Sequence, residues 1–279
     1  MSGQPASGWS RLDRELDAWH AGGQPATLWL RDDDACRDST ALRRLLGVAE
    51  ANAVPVALAV IPALLETSLP AVVAPYTQAI VIQHGYAHRN HAPADARSCE
   101  LGANRPVFAT LDELAVGFNN LAHEFGERFV AVLVPPWNRI DAGITARLPV
   151  AGYRGLSTFG PRKTPYAVHG LPQCNTHVDL IAWRKDRAFI GADEAIDRTV
   201  AHLRARRQGD ADMSEPTGIL THHVDLDAVA WDFLEALVAR TRAHAGARWI
   251  DVRSAFSANG RSAMAASPAA SAVTSARSA

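Results

Sequence analysis

A chain of 279 residues that is 48% apolar can bury a large core as one α/β domain. Its 28 lysines and arginines against 29 acidic residues leave a formal net charge of −1, so the basic footprint of a nucleic-acid binder is missing. The N-terminus has no apolar signal core and no run reaches 18 apolar residues, which argues against secretion or a membrane span and for a cytoplasmic protein.

In chain order, an amphipathic segment over 10–20 predicts a helical extension occupying residues 1–25. The apolar run at 26–31 predicts the first strand and is followed at once by Asp32-Asp33-Asp34. Ser39 has the chemistry of an N-cap for a helix reaching about Ala51. Strands are expected at 54–61, ending at Pro62, and at 79–83. Leu111, Leu114, Phe118, Leu121 and Phe125 recur at the spacing of one helical face. The strand expected over 129–134 is stopped by Pro135-Pro136. Further strands are predicted at 153–157, 177–183, 217–221 and 247–251, with helices at about 192–207 and 227–243. Strands alternating with helices predict parallel βαβ units over one domain at 26–256. The Ala/Ser-rich stretch at 257–279 has no periodicity and is expected to be disordered. Cys36, Cys99 and Cys174 form no C-x-x-C pair, so reduced thiols are expected.

The polar residues at the ends of the expected strands carry the chemistry. Three carboxylates abutting an apolar run have no packing rationale, because unpaired charges are almost never buried. One Asp of Asp32-Asp33-Asp34 could bind a metal while a neighbour serves as general base; the bland account is a solvated loop with a capping Asp. His84 and His88 stand four residues apart beyond the third strand and can close on one ion across a tight turn, with His91 as a spare. Imidazole with carboxylate suits a divalent ion, zinc above all. His222, at the end of the strand at 217–221, suits a general acid, since an unperturbed imidazole titrates near neutrality. After Pro135-Pro136, Trp137 could supply an apolar wall and Asn138 or Arg139 polar contacts. Asp179 is available to hold a catalytic His, although an alternating buried strand including Trp183 explains that segment equally well.

Taken in this order, the segments resemble the polysaccharide deacetylases, the NodB-homology or carbohydrate esterase family 4 enzymes. The family's Asp-Asp strand end is matched best by Asp33-Asp34-Ala35, with Asp32-Asp33 as an alternative register. His-Ser/Thr-x-x-His is met by His84 and His88, with Gly85 in place of the hydroxyl residue. Arg-x-Pro-aromatic is similar to Val134-Pro135-Pro136-Trp137, without its arginine, for which Arg139 or Arg31 could substitute. Asp179 and Trp183 are a looser counterpart of the fourth motif, and Leu220-Thr221-His222 meets Leu-x-His. The resemblance spans roughly residues 26–255 and implies a distorted (β/α) barrel of parallel strands with outer helices.

It further implies a metal-dependent hydrolase that removes an acetyl or other acyl group from an N-acylated sugar or related amide. Asp34, His84 and His88 would hold the divalent ion, Asp33 would act as base on a metal-activated water, and His222 as acid. Trp137, Arg139 and Asp179 would contact or orient the substrate, a small molecule or oligosaccharide. The alternatives are a hydrolase of a non-sugar C–N bond on the same fold and a non-catalytic carbohydrate-binding relative.

Overall fold

A computed structural model describes residues 8–257; the expected disordered tail beyond Ser257 and the first seven residues of the extension lie outside them. The chain runs α1 Gly8–Ala21, β1 Ala26–Ala35, α2 Thr40–Ala51, β2 Val56–Val60, α3 Ser68–Val73, β3 Ala79–His84, α4 Val107–Phe125 and β4 Phe129–Val134. It continues through α5 Ala142–Thr145, β5 Gly155–Leu156, a hairpin of β6 Tyr166–Val168 and β7 Leu171–Pro172, and β8 Val178–Asp179. Last come α6 Ala192–Gln208, β9 Thr217–Thr221, α7 Ala228–Ala243, β10 Ala247–Trp249 and α8 Val252–Phe256.

The main sheet has the order β5-β4-β3-β2-β1-β9-β8, every neighbour parallel, while β10 pairs with the first residues of β1. Single bridges from Leu156 to Gln173 and from Phe159 to Thr176 join the two edges, so the sheet curls into a distorted (β/α) barrel. The side-chain period of two then divides β1. Leu28 and Leu30 pack outward among the helices with Leu42, Leu46, Ile196 and Leu234. Trp29 points inward, where Ala57, Ala59, Ile82, Val132, Val134 and Cys174 surround it and α8 closes the floor with Val252 and Phe256.

Of the boundaries that differ from the sequence reading, two have a clear physical cause. β1 extends to Ala35 rather than ending at 31, because its carboxylates find partners inside the fold: Asp32 Oδ2 accepts from the Thr221 hydroxyl at 2.7 Å and the His223 N–H at 2.9 Å. The strand expected at 177–183 shortens to Val178–Asp179, because Asp179 Oδ1 captures the Ile181 N–H at 3.0 Å and turns the chain. Ser39 caps α2 as expected, its hydroxyl accepting from Leu42 N–H at 3.0 Å. Among the described residues no helix is long and apolar enough to cross a membrane.

Candidate active site

The C-terminal ends of β1, β3, β4 and β9 gather the polar residues, the end at which parallel α/β folds carry their sites. Asp34 Oδ1 lies 3.1 Å from His84 Nε2 and 3.5 Å from His88 Nε2. His84 Nδ1 sits 3.0 Å from the Val134 carbonyl, which can only accept, so Nδ1 carries the hydrogen and Nε2 turns its lone pair toward Asp34. Two acceptors facing each other need a cation between them. Asp34 Oδ1 is buried with no hydrogen-bond donor among the described residues, and its two imidazole neighbours complete a nitrogen–oxygen set suited to a divalent ion. Without the ion, a proton serves. Burial of Asp34 opposes its ionisation, but His84, with His222 and His88 nearby, outweighs it and holds the carboxyl well below the usual range. Burial likewise opposes charge on His84, yet the Asp33 and Asp34 carboxylates raise its pKa; burial and then His84 lower that of His88.

Asp33 faces Arg31 and stays near enough to His84 to raise the pKa of that imidazole. The fully buried Arg31 donates to Asp33 from Nη2 to Oδ2 at 3.0 Å, and its Nε stands 2.9 Å from Oδ1 as an ion-pair contact without a hydrogen bond. The remaining donors go to Ser157 Oγ at 2.7 Å, the Thr158 carbonyl at 3.3 Å and Asn138 Oδ1 at 2.9 Å. Of the two candidates for the missing arginine, the structure therefore brings Arg31 to Asp33. The Arg139 guanidinium donates instead to the Ser98 carbonyl at 2.6 Å. Asp32 is engaged elsewhere, its Oδ1 paired with His223 Nδ1 at 2.5 Å. Burial opposes charge on His223, but Asp32 outweighs it and raises the pKa.

His222 lies close enough to influence both Asp34 and Asp179 electrostatically, with the Trp183 ring edge-on at 4.6 Å and a buried Nδ1 that has no hydrogen-bond partner among the described residues. Asp179 makes no hydrogen bond to His222; its Oδ2 accepts from Trp183 Nε1 at 2.7 Å. It thus holds the indole that packs on His222, and burial raises its pKa against the lowering influence of His222. Trp137 packs on His88 at 4.4 Å.

Asp34, His88, Trp137 and Asn138 have φ between 54° and 71°, four of the six non-glycine residues with positive φ among those described. Asp, Asn and His tolerate this region, whereas for Trp it is a strained conformation. Strain is concentrated where the polar groups converge.

A second buried group, His177, His202 and Glu215, lies at the opposite, N-terminal ends of the strands. It is unfit for a metal. The two imidazoles stack 3.5 Å apart at 17°, so their in-plane lone pairs run side by side instead of meeting on one ion. His177 Nδ1 already accepts from Gly218 N–H at 2.9 Å, so neutral His177 keeps its hydrogen on Nε2, facing Glu215 at 3.4 Å.

Sequence reasoning missed Ser157, His223 and Glu100, the last a buried carboxylate bonded to the turn after His84. None belongs to a local pattern; Ser157 is 126 residues from its partner Arg31.

No protein-family model matches the sequence, and no curated protein matches it significantly. Solved structures do share the fold. A Mycobacterium smegmatis protein assigned as a polysaccharide deacetylase is 16% identical with a TM-score of 0.62, over 84% of this chain and 90% of that one. A peptidoglycan N-acetylglucosamine deacetylase is 16% identical with a TM-score of 0.51, over 83% and 88%. A pseudoenzyme of the CE4 family, solved as a mutant with restored activity, is 12% identical with a TM-score of 0.55, over 83% and 68%. These likenesses show that the chain has the fold of the polysaccharide deacetylases.

Proposed function

We propose that the protein is a metal-dependent hydrolase that removes an acetyl or related acyl group from an N-acylated sugar, as a small molecule or oligosaccharide. The observation that carries this reading is the convergence of Asp34 Oδ1, His84 Nε2 and His88 Nε2, with Asp33 next in sequence and His222 within electrostatic reach. A divalent ion on those three atoms, zinc by the donor chemistry, supplies Lewis acidity toward the acyl oxygen and the attacking water. Asp33, its carboxylate held by the Arg31 fork, receives the proton of that water. His222, steadied by the Trp183 edge, delivers a proton to the leaving amine, without which the amide C–N bond does not part. Trp137 beside His88 gives the substrate an aromatic wall.

The pseudoenzyme among the structural neighbours shows that this fold can lack activity. Absence of the third-motif arginine would favour that reading here; the Arg31–Asp33 pair favours catalysis instead, because the base keeps a cationic partner. Free Cys36, Cys99 and Cys174 accord with a reducing, cytoplasmic setting and hence a soluble substrate rather than wall polymer.

Metal content and acetate release from N-acetylated sugars test the assignment. Asp33→Asn and His222→Ala should each lose about 10²- to 10⁴-fold in turnover while keeping the metal; His84→Ala should lose the metal itself. Equal metal loss in all three variants would refute this division of roles.

A further inference from the structure

The backbone from His84 to His88 must bring two imidazoles to one point, and its polar groups are held from several sides. Gly85 N–H donates to the Val134 carbonyl at 2.9 Å, the Gly85 carbonyl accepts from Gln83 Nε2 at 2.9 Å, and the Tyr86 carbonyl accepts from Ala63 N–H at 2.9 Å. The N–H groups of Tyr86, Ala87 and Arg89 then converge on one carboxylate, Glu100, at 3.0, 2.7 and 3.3 Å. Glu100 is 1% exposed and forms no ion pair among the described residues. A buried carboxylate is costly unless donors surround it, so charge and turn shape depend on each other.

We propose that Glu100 is the positioning residue of the metal-binding turn, its carboxylate fixing the arc that sets His88 against Asp34. This rests on the metal-centre reading above. It also accounts for a departure from the resembled motif. A Cβ at Gly85 would lie 2.0 Å from Glu100 Oε2 and 2.6 Å from the Pro136 ring, and Gly85 has φ of +51°. Where that motif has a serine or threonine, the carboxylate occupies the space a side chain would need. Glu100 in turn sits on a braced segment: Asp141 N–H donates to the Leu101 carbonyl at 2.8 Å, and Arg139 holds the Ser98 carbonyl. The arginine expected at the substrate thus supports the residue that shapes the turn.

The test is zinc affinity by chelator competition, and the visible spectrum of the cobalt-loaded protein, for wild type, Glu100→Gln and His88→Ala. An amide in place of the carboxylate removes one acceptor and sets an N–H₂ against backbone donors. Zinc affinity should fall roughly 10- to 100-fold, and the cobalt spectrum should move toward that of His88→Ala. Affinity within twofold of wild type, with an unchanged spectrum, overturns the proposal. Should Glu100→Gln fail to fold, amide exchange in the metal-free wild type decides: slow exchange at Tyr86, Ala87 and Arg89 supports the cradle, and open-loop rates refute it. A wild type that takes up no zinc or cobalt defeats the metal reading, whereas normal uptake unaffected by Glu100→Gln defeats only this inference.

Discussion

Arg31 shows how much of the site hangs on one side chain. It lies two residues from Asp33 on a strand, so both project to the same barrel face, and its guanidinium is withdrawn from water. Removing one partner of such a pair leaves an uncompensated buried charge. Arg31→Met should therefore cost on the order of 3–5 kcal/mol, read as a lower denaturation midpoint. Arg31→Met/Asp33→Asn should recover much of that stability without recovering turnover, since the base is gone. If the double variant is as unstable as the summed singles, the pair is not the source of the loss. Arg31→Lys keeps the charge but not the planar fork, so acetate release should drop even where the fold survives. The sequence left Arg31 and Arg139 both open because the choice turns on strand length: only a β1 that continues to Ala35 places residues 31 and 33 on one inward face.

At the level of elements, one of the shortest helices has a large structural part. α8 is five residues long, capped by Asp251, whose Oδ1 accepts from Ser254 N–H at 2.7 Å. It places Phe256 against Trp29 with ring centroids 6.1 Å apart and edges the barrel interior from below. Phe256→Ala should cost about 3–5 kcal/mol while leaving zinc affinity unchanged, because the site lies at the other end of the strands; a parallel fall in affinity would show that floor and site are coupled. Nothing in the sequence announced α8, and α3, α5 and the β6–β7 hairpin were equally silent, since elements this short carry no measurable periodicity. Longer elements were legible. The strands at 129–134 and 217–221 have the expected bounds because proline or polar residues end their apolar runs abruptly. At the site, the residues of Asp34, His84, His88 and His222 could be read from strand ends, but Glu100 could not. Its partners are backbone N–H groups, which leave no trace in side-chain pattern.

Across the whole molecule, buried histidines respond to acid in both senses. At the N-terminal ends of the strands, His202 is buried against His177 and beside Arg206, whose Nη1 shares the Thr217 hydroxyl with His202 Nδ1. Burial, then the neighbouring His177 and Arg206, push the His202 pKa down to about 2, and burial also lowers that of His177 despite Glu215. An unfolded chain takes up these protons as the pH falls below an ordinary imidazole value of about 6.5, whereas the folded one resists. Stability from these groups is therefore complete above that pH and declines as the solution is acidified toward 2, by up to about 1.4 kcal/mol per pH unit for each proton involved. His84 and His223 have raised pKa values and act in the opposite sense: what they contribute is present below about 6.5 and lost as pH rises through their folded values. The net slope mixes both kinds, so the informative quantity is the difference between two proteins. His202→Asn should flatten the loss of stability between pH 6 and 4 by about one proton's worth, measured by urea unfolding at each pH. A variant whose pH slope matches the wild type would place the acid sensitivity outside this cluster.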